Sequence, residues 1–303
     1  MAVESEGDVA VPPTLQALLA ARLDQLEDSE RFVLERGAVE GEIFHRGAVE
    51  HIRLHEHLVG RLAALVRKGL IRPDTSQLPG EDGFRFRHLL FRDAAYDALP
   101  KATRAELHER LAAWLDQKGE HLVELDEILG FHLELAAHCK AELGQPDSGL
   151  AEEAGERLAA AGRRAASRGD RGTARPLLER SLSLTRTLRI DVRLELDLAE
   201  AQRSPRERAA IAEQAAERAR RAGDKAGEAL AAVATASARS YFADDPRSNE
   251  IERLARAALP LLEQADDHAG LARVWEALGG VANLQGRFEE WAQAAEQSIR
   301  HFR

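Results

Sequence analysis

Apolar positions in the first part of the chain recur every three or four residues. Leu15, Leu18, Leu19, Leu23 and Leu26 form one stripe behind Thr14, which can cap a helix, while Arg22, Asp24 and Gln25 fall away from the stripe's centre. A second helix starts at Asp28-Ser29-Glu30, carries Phe32, Val33 and Val39, and stops at Gly41. A third, from about His55 to Lys68, sets Leu58, Leu62, Leu65, Val66 and Leu70 on one face with Gly69 as its stop. The period then changes. Leu70-Ile71-Arg72 reads as a short strand, residues 73–83 hold two prolines and two glycines and read as a loop, and Phe84-Arg85-Phe86-Arg87 alternates as a return strand. At His88 the alternation turns directly into a helical run of Leu89, Leu90, Ala94 and Tyr96, closed by Leu99-Pro100. A helix from Thr103 to about Lys118 follows with Leu107, Leu111, Trp114 and Leu115. Three helices and a two-stranded hairpin are the order of a winged helix, so residues 11–118 are expected to form one. Residues 1–10, with Glu4, Glu6 and Asp8, are expected to be a disordered acidic tail.

From Leu122 onward only helical hairpins are legible. Leu122, Leu125, Ile128, Leu129, Leu133 and Ala136 make one stripe, and turns are expected around 144–149, 168–170, 202–205, 243–246 and 285–287. Gly223-Asp224-Lys225-Ala226-Gly227-Glu228-Ala229 is echoed by Asp266-Asp267-His268-Ala269-Gly270-Leu271-Ala272. Small residues at Ala161, Ala165, Ala174, Ala231, Ala234, Ala292 and Ala295 suit closely stacked helices. Units of this kind bury their apolar faces only by stacking in series, so residues 119–303 are read as a tetratricopeptide-like solenoid. The competing reading is an irregular α-helical domain. The expected fold class is therefore mainly α, with a winged-helix domain bearing a small β-hairpin ahead of an α-solenoid.

Composition narrows the function. Of 303 residues, 44% are hydrophobic and 31% charged, which supports a packed core, and only 5% are aromatic. The net charge of −10 is shared: residues 1–118 carry 16 Lys and Arg against 20 Asp and Glu, the rest 26 against 32. Neither part has the cationic excess with which a duplex-binding domain neutralises phosphates. The single cysteine, Cys139, excludes an intramolecular disulfide and fits a reducing compartment. No signal peptide and no apolar run of membrane-spanning length is present, so the cytoplasm is the expected location and no membrane contact is expected.

Three runs resemble one family: Val11-Pro12-Pro13-Thr14-Leu15-Gln16-Ala17-Leu18-Leu19, Leu65-Val66-Arg67-Lys68-Gly69-Leu70-Ile71, and Arg87-His88-Leu89-Leu90-Phe91-Arg92-Asp93-Ala94-Ala95-Tyr96. They look like the segment after the nucleotide-binding domain in bacterial STAND-type signalling ATPases, especially those associated with adenylate or guanylate cyclases and the related LuxR-type transcriptional regulators. The resemblance implies a winged helix and then a tetratricopeptide array that couples nucleotide state to a protein partner, held on the solenoid's concave face. It also implies that a histidine after the last wing strand touches the phosphates of bound ADP. His88 stands at that place, preceded by Arg87 and followed by Leu89 where methionine and aspartate often stand. The sequence has no Gly-x-x-x-x-Gly-Lys-Ser/Thr loop, so ADP or ATP binding is expected only together with an upstream ATPase domain, and neither catalysis nor a cofactor of its own is expected from this chain.

The remaining candidates are weaker. For His88 the plainer alternative is a ring packed at the strand–helix junction and bonded to a backbone carbonyl. His51, His55 and His57 cluster without an evident further ligand, so no metal site is expected. His132, between Leu129 and Leu133, reads as a satisfied core histidine. Arg61, Arg67 and Lys68 on the third helix and Arg85, Arg87 and Arg92 around the wing would be the phosphate contacts of a DNA-binding regulator, the alternative function. A nucleophile elbow, His-Glu-x-x-His and Cys-x-x-Cys are all absent. Acid–base neighbours such as Glu156 with Arg157 and Glu217 with Arg218 read as helix-surface pairing.

Overall fold

A computed structural model describes residues 21–52, 58–76, 78–242 and 248–301. The acidic tail, most of the first predicted helix, His55, His57 and the turn at 243–246 lie outside the described residues. The chain divides into two compact units between Ala154 and Gly155. The protein is mainly α with one small antiparallel sheet, as the pattern predicts.

In the first unit, α1 (Asp28–Glu40) is followed by β1 (Ile43–His45), α2 (Arg46–Ile52), α3 (Leu58–Arg67), β2 (Ile71–Asp74) and β3 (Gly83–Phe86). The side chain of Glu30 accepts from the Glu27 backbone N–H at 3.1 Å and fixes the start of α1. The predicted β2–β3 hairpin is present, with Ile71 opposite Phe86 and Asp74 opposite Gly83. β1 adds a third strand on the other edge of β3, giving the order β1-β3-β2, with Phe44 opposite Phe84. Neither β1 nor α2 is apparent from the apolar pattern, because three strand residues are too few to show alternation. β1 matters for the core: Phe44 is fully buried and packs against the rings of Phe84 and Phe86, at centroid distances of 5.8 and 5.3 Å. A Cβ at Gly37 would come within 2.8 Å of the Phe44 ring, which accounts for a glycine inside α1.

Beyond β3 come α4 (Leu89–Asp97), α5 (Lys101–Lys118) and α6 (Leu125–Glu142). Leu107, Leu111, Trp114 and Leu115 of α5 are all buried, as their spacing requires. α5 packs along α6, so residues just beyond 118 belong to the compact unit of the preceding sheet and helices.

The second unit is built of helices alone among its described residues. After α7 (Ser148–Ser167) come α8 (Arg171–Thr185), α9 (Val192–Ala201), α10 (Pro205–Ala222), α11 (Lys225–Arg239), α12 (Ser248–Gln264), α13 (His268–Leu284) and α14 (Phe288–His301). Within this unit, from α8 onward, each helix packs on the next, and α9, α11 and α13 also touch in series as one layer. Close approach is permitted by small residues: a Cβ at Gly155 would sit 2.4 Å from Thr185, and one at Gly162 2.8 Å from Leu178. Ala161, Ala165, Ala174 and Ala231 are buried as expected; Ala292 is exposed, and Ala294 occupies the buried place on α14.

Candidate functional site

The junction from strand to helix puts His88 at the N-cap of α4, in extended backbone geometry (φ −140°, ψ 132°). The Phe91 amide bonds the His88 carbonyl at 3.0 Å, and the Arg87 amide bonds the Leu70 carbonyl at 3.0 Å, so backbone holds both sides of the residue. Its imidazole is exposed, lies 6.2 Å from the Phe91 ring, and makes no hydrogen bond among the described residues. The plainer expectation, a ring tied to a carbonyl, is therefore not what this geometry displays.

Several cations near the β2–β3 hairpin are already engaged. Lys68 pairs at 2.5 Å with Glu30, whose side chain is 5% exposed. Arg85 bridges Glu42 and Asp74, an arrangement that holds the Asp74 carboxyl below its ordinary range through the Arg85 hydrogen bond. Arg92 bonds Asp93 at 2.8 Å and reaches the Ala38 carbonyl at 3.3 Å. Arg61, Arg67 and Arg87 form no ion pair among the described residues. His51 lies on the surface at the end of α2, and no group of three metal-ligating side chains forms among the described residues.

A buried polar chain links α4, α5 and α6, the helices that follow β3. The Tyr96 hydroxyl on α4 is 2.8 Å from Nε2 of His108 on α5, and Nδ1 of His108 is 3.0 Å from Nδ1 of His132 on α6. The two imidazoles stack at 5.1 Å and are almost wholly buried. Burial, reinforced for His108 by the neighbouring His132 and by Arg92 and Arg104, lowers their pKa values to about 3 for His108 and about 4 for His132. Both are thus neutral near pH 7, and one N–H must point along the chain while the facing nitrogen accepts. His132 is a satisfied core histidine as expected. Its partner His108 carries one signal in the sequence: between Leu107 and Leu111, it also interrupts an apolar stripe.

In the second unit the layer of α9, α11 and α13 carries a network of charges. Arg273 on α13 bonds Glu200 at 2.9 Å and also Asp197, both on α9, and Asp197 receives Arg163 at 2.6 Å. On α10, Arg218 pairs bidentately with Glu195 of α9, which is 2% exposed, and Glu217 pairs with Arg220 and Arg221. Glu156 pairs with Arg189 at 3.1 Å. Glu217 and its neighbour Arg218 are thus directed to other partners, and Glu156 reaches Arg189.

No protein-family model and no curated protein matches the chain. Among solved structures, a signal transduction ATPase with numerous domains (STAND) with a tetratricopeptide repeat sensor, from Pyrococcus horikoshii, is similar at 15% sequence identity over 94% of this chain, with a TM-score of 0.40. This chain covers 46% of that one. No helix among the described residues is long and apolar enough to cross a membrane.

Proposed function

We propose that this chain is the regulatory and protein-interaction segment of a STAND-type signalling ATPase: a winged helix over 11–118 that reads nucleotide state, and a tetratricopeptide-like array over 119–303 that holds a protein partner. The observation that carries the reading is the element order helix-strand-helix-helix-strand-strand with sheet order β1-β3-β2, followed by stacked helix pairs. That order supports the winged-helix reading.

His88 is the candidate nucleotide contact. It is exposed at the end of the wing, and an imidazole there can donate a hydrogen bond to a phosphate oxygen supplied by an ATPase domain. α4 would carry the consequence, since it begins at His88 and is tied near its other end to His108 through Tyr96. The chain supplies no phosphate loop, so ADP or ATP would be held mainly by that other domain and the chemistry would be performed there.

The rival reading is a winged-helix DNA-binding regulator. It is weakened by the internal engagement of Lys68 and Arg85 and by the acidic balance of the domain. Two measurements decide. In the ATPase-bearing protein that contains this chain, His88→Ala should weaken ADP binding by about tenfold, the loss of one charge-assisted hydrogen bond; unchanged affinity removes the sensor role. Titration of the chain with duplex DNA at low salt should give no saturable binding, and saturable binding would favour the DNA reading instead.

A further inference from the structure

The second unit contains a pocket of about 370 Å³ beside the charge network, lined chiefly by α9, α11 and α13. Its lining is apolar at Leu230, Val233, Ile251 and Val281, and its rim is open: Tyr241 is 74% and Leu284 78% exposed. Two carboxylates, Glu200 and Glu276, line the same pocket. Their compensation is uneven. Arg273 has one arm on Glu200 and the other on Asp197, and Nε of Arg208, the other cation of the lining, donates to the Gln202 carbonyl at 2.9 Å. Glu276 forms no ion pair among the described residues. Glu200 keeps 66% of its side-chain area in water, yet the surrounding protein desolvates both carboxylates and raises their pKa values despite Arg273. A groove wall of low dielectric with an unpaired carboxylate attracts a positive charge more strongly than the same carboxylate would on a flat surface.

The shape and the charge select one kind of occupant. An anion would face Glu200 and Glu276, while Arg273 is held by two carboxylates and Nε of Arg208 is turned to the Gln202 carbonyl. A purely apolar group would cover Glu276 and leave it with neither water nor partner, which costs free energy. A side chain with an aliphatic stem and a cationic head satisfies both parts: the stem covers Leu230, Val233 and Val281, the head meets Glu276, and the open Tyr241 ring offers a cation–π face.

We propose that this pocket receives a lysine or arginine side chain of a protein partner, flanked in the partner by apolar residues that cover Leu284 and Tyr241. The inference rests on the reading of the second unit as a protein-docking array and specifies the chemistry of its partner. A random peptide phage library selected on the full chain tests it, followed by fluorescence anisotropy with synthetic copies of the enriched peptide. Enrichment of a basic residue beside apolar ones is expected. A copy with norleucine in place of the base should bind about tenfold more weakly, and Glu276→Gln should weaken the basic peptide by a similar factor while leaving the norleucine copy unaffected. Circular dichroism of Glu276→Gln should be unchanged, because that side chain is exposed and carries no ion pair. Enriched peptides without a base, or equal binding of the norleucine copy, overturn this inference and leave the docking array standing. No enrichment above that on an unrelated helical protein overturns both.

Discussion

At the scale of single residues, the Tyr96, His108 and His132 chain illustrates how a polar core group is tolerated. The Tyr96 hydroxyl, both nitrogens of His108 and Nδ1 of His132 have partners in it, and removing one partner leaves another buried group without a bond. Tyr96→Phe keeps the ring and its packing but leaves Nε2 of His108 unpaired, so it should lower the stability of the first unit by about 1–3 kcal/mol in urea unfolding. A change under a few tenths of a kcal/mol would mean that water reaches that nitrogen. Sequence gave His132 its core position through its neighbours Leu129 and Leu133. The pairing is not legible there, because His108 and His132 lie 24 residues apart on successive helices and nothing local encodes their approach. His88 is the reverse case: its place at the strand–helix boundary was legible from a change of period, while its exposure depends on how α4 packs and is visible only in three dimensions.

At the scale of elements, five of the described helix connections share one joint. At Gly144, Gly169, Gly223, Asp266 and Gly286 the chain enters the left-handed region, and the amide of the following residue bonds the carbonyl five residues before it, as Asp224 does to Ala219 and Asp267 to Leu262. Aspartates then cap the next helix: Asp170 accepts from the Thr173 amide, Asp224 from Gly227 and Asp267 from Gly270. The echo between 223–229 and 266–272 is the sequence trace of this joint, which is why it was legible although the helices around it were not similar. Asp266, at φ 53°, is the described residue other than glycine with a positive φ, in the place that Gly223 holds in the other copy. Asp266→Gly should relieve that strain by more than the extra chain entropy that glycine loses on folding, for a net gain of about 0.5 kcal/mol. Asp224→Ala, which removes a cap, should cost about 1 kcal/mol, and thermal unfolding of the two variants should shift in opposite directions. β1 and α2 stayed hidden for a physical reason as well. A three-residue strand and a seven-residue helix take their form from Phe44 inserting over Gly37 and from pairing with β3, contacts that no local pattern records.

At the scale of the whole molecule, the buried histidine pair of the first unit and the pocket carboxylates of the second respond to acid in opposite senses. In the first, His108 and His132 have folded pKa values of about 3 and 4 against an ordinary value near 6.5, so the unfolded chain takes up protons first. Their contribution is complete above pH 6.5 and is lost as the pH falls from there towards 4 and 3. Between pH 7 and pH 5 the loss is about 2 kcal/mol for each histidine. Glu40, raised by desolvation and bonded to His45 at 2.5 Å, acts in the other direction, its penalty fading as the pH falls. In the second unit Glu200 and Glu276 have raised values, so their ionised forms are penalised in the folded state and the penalty fades as the pH falls towards 4.5. Both reach water, which keeps that relief small. Amide hydrogen exchange of the full chain at pH 7 and pH 5, corrected for the intrinsic exchange rate, should therefore show protection falling in α4, α5 and α6 and holding in α9, α11 and α13. Replacing both histidines by leucine should flatten the response of the first unit even if it lowers the overall stability, since the slope with pH depends on the titrating groups and not on the starting value. An equal loss of protection in both units would show that the buried histidine pair does not govern the acid response.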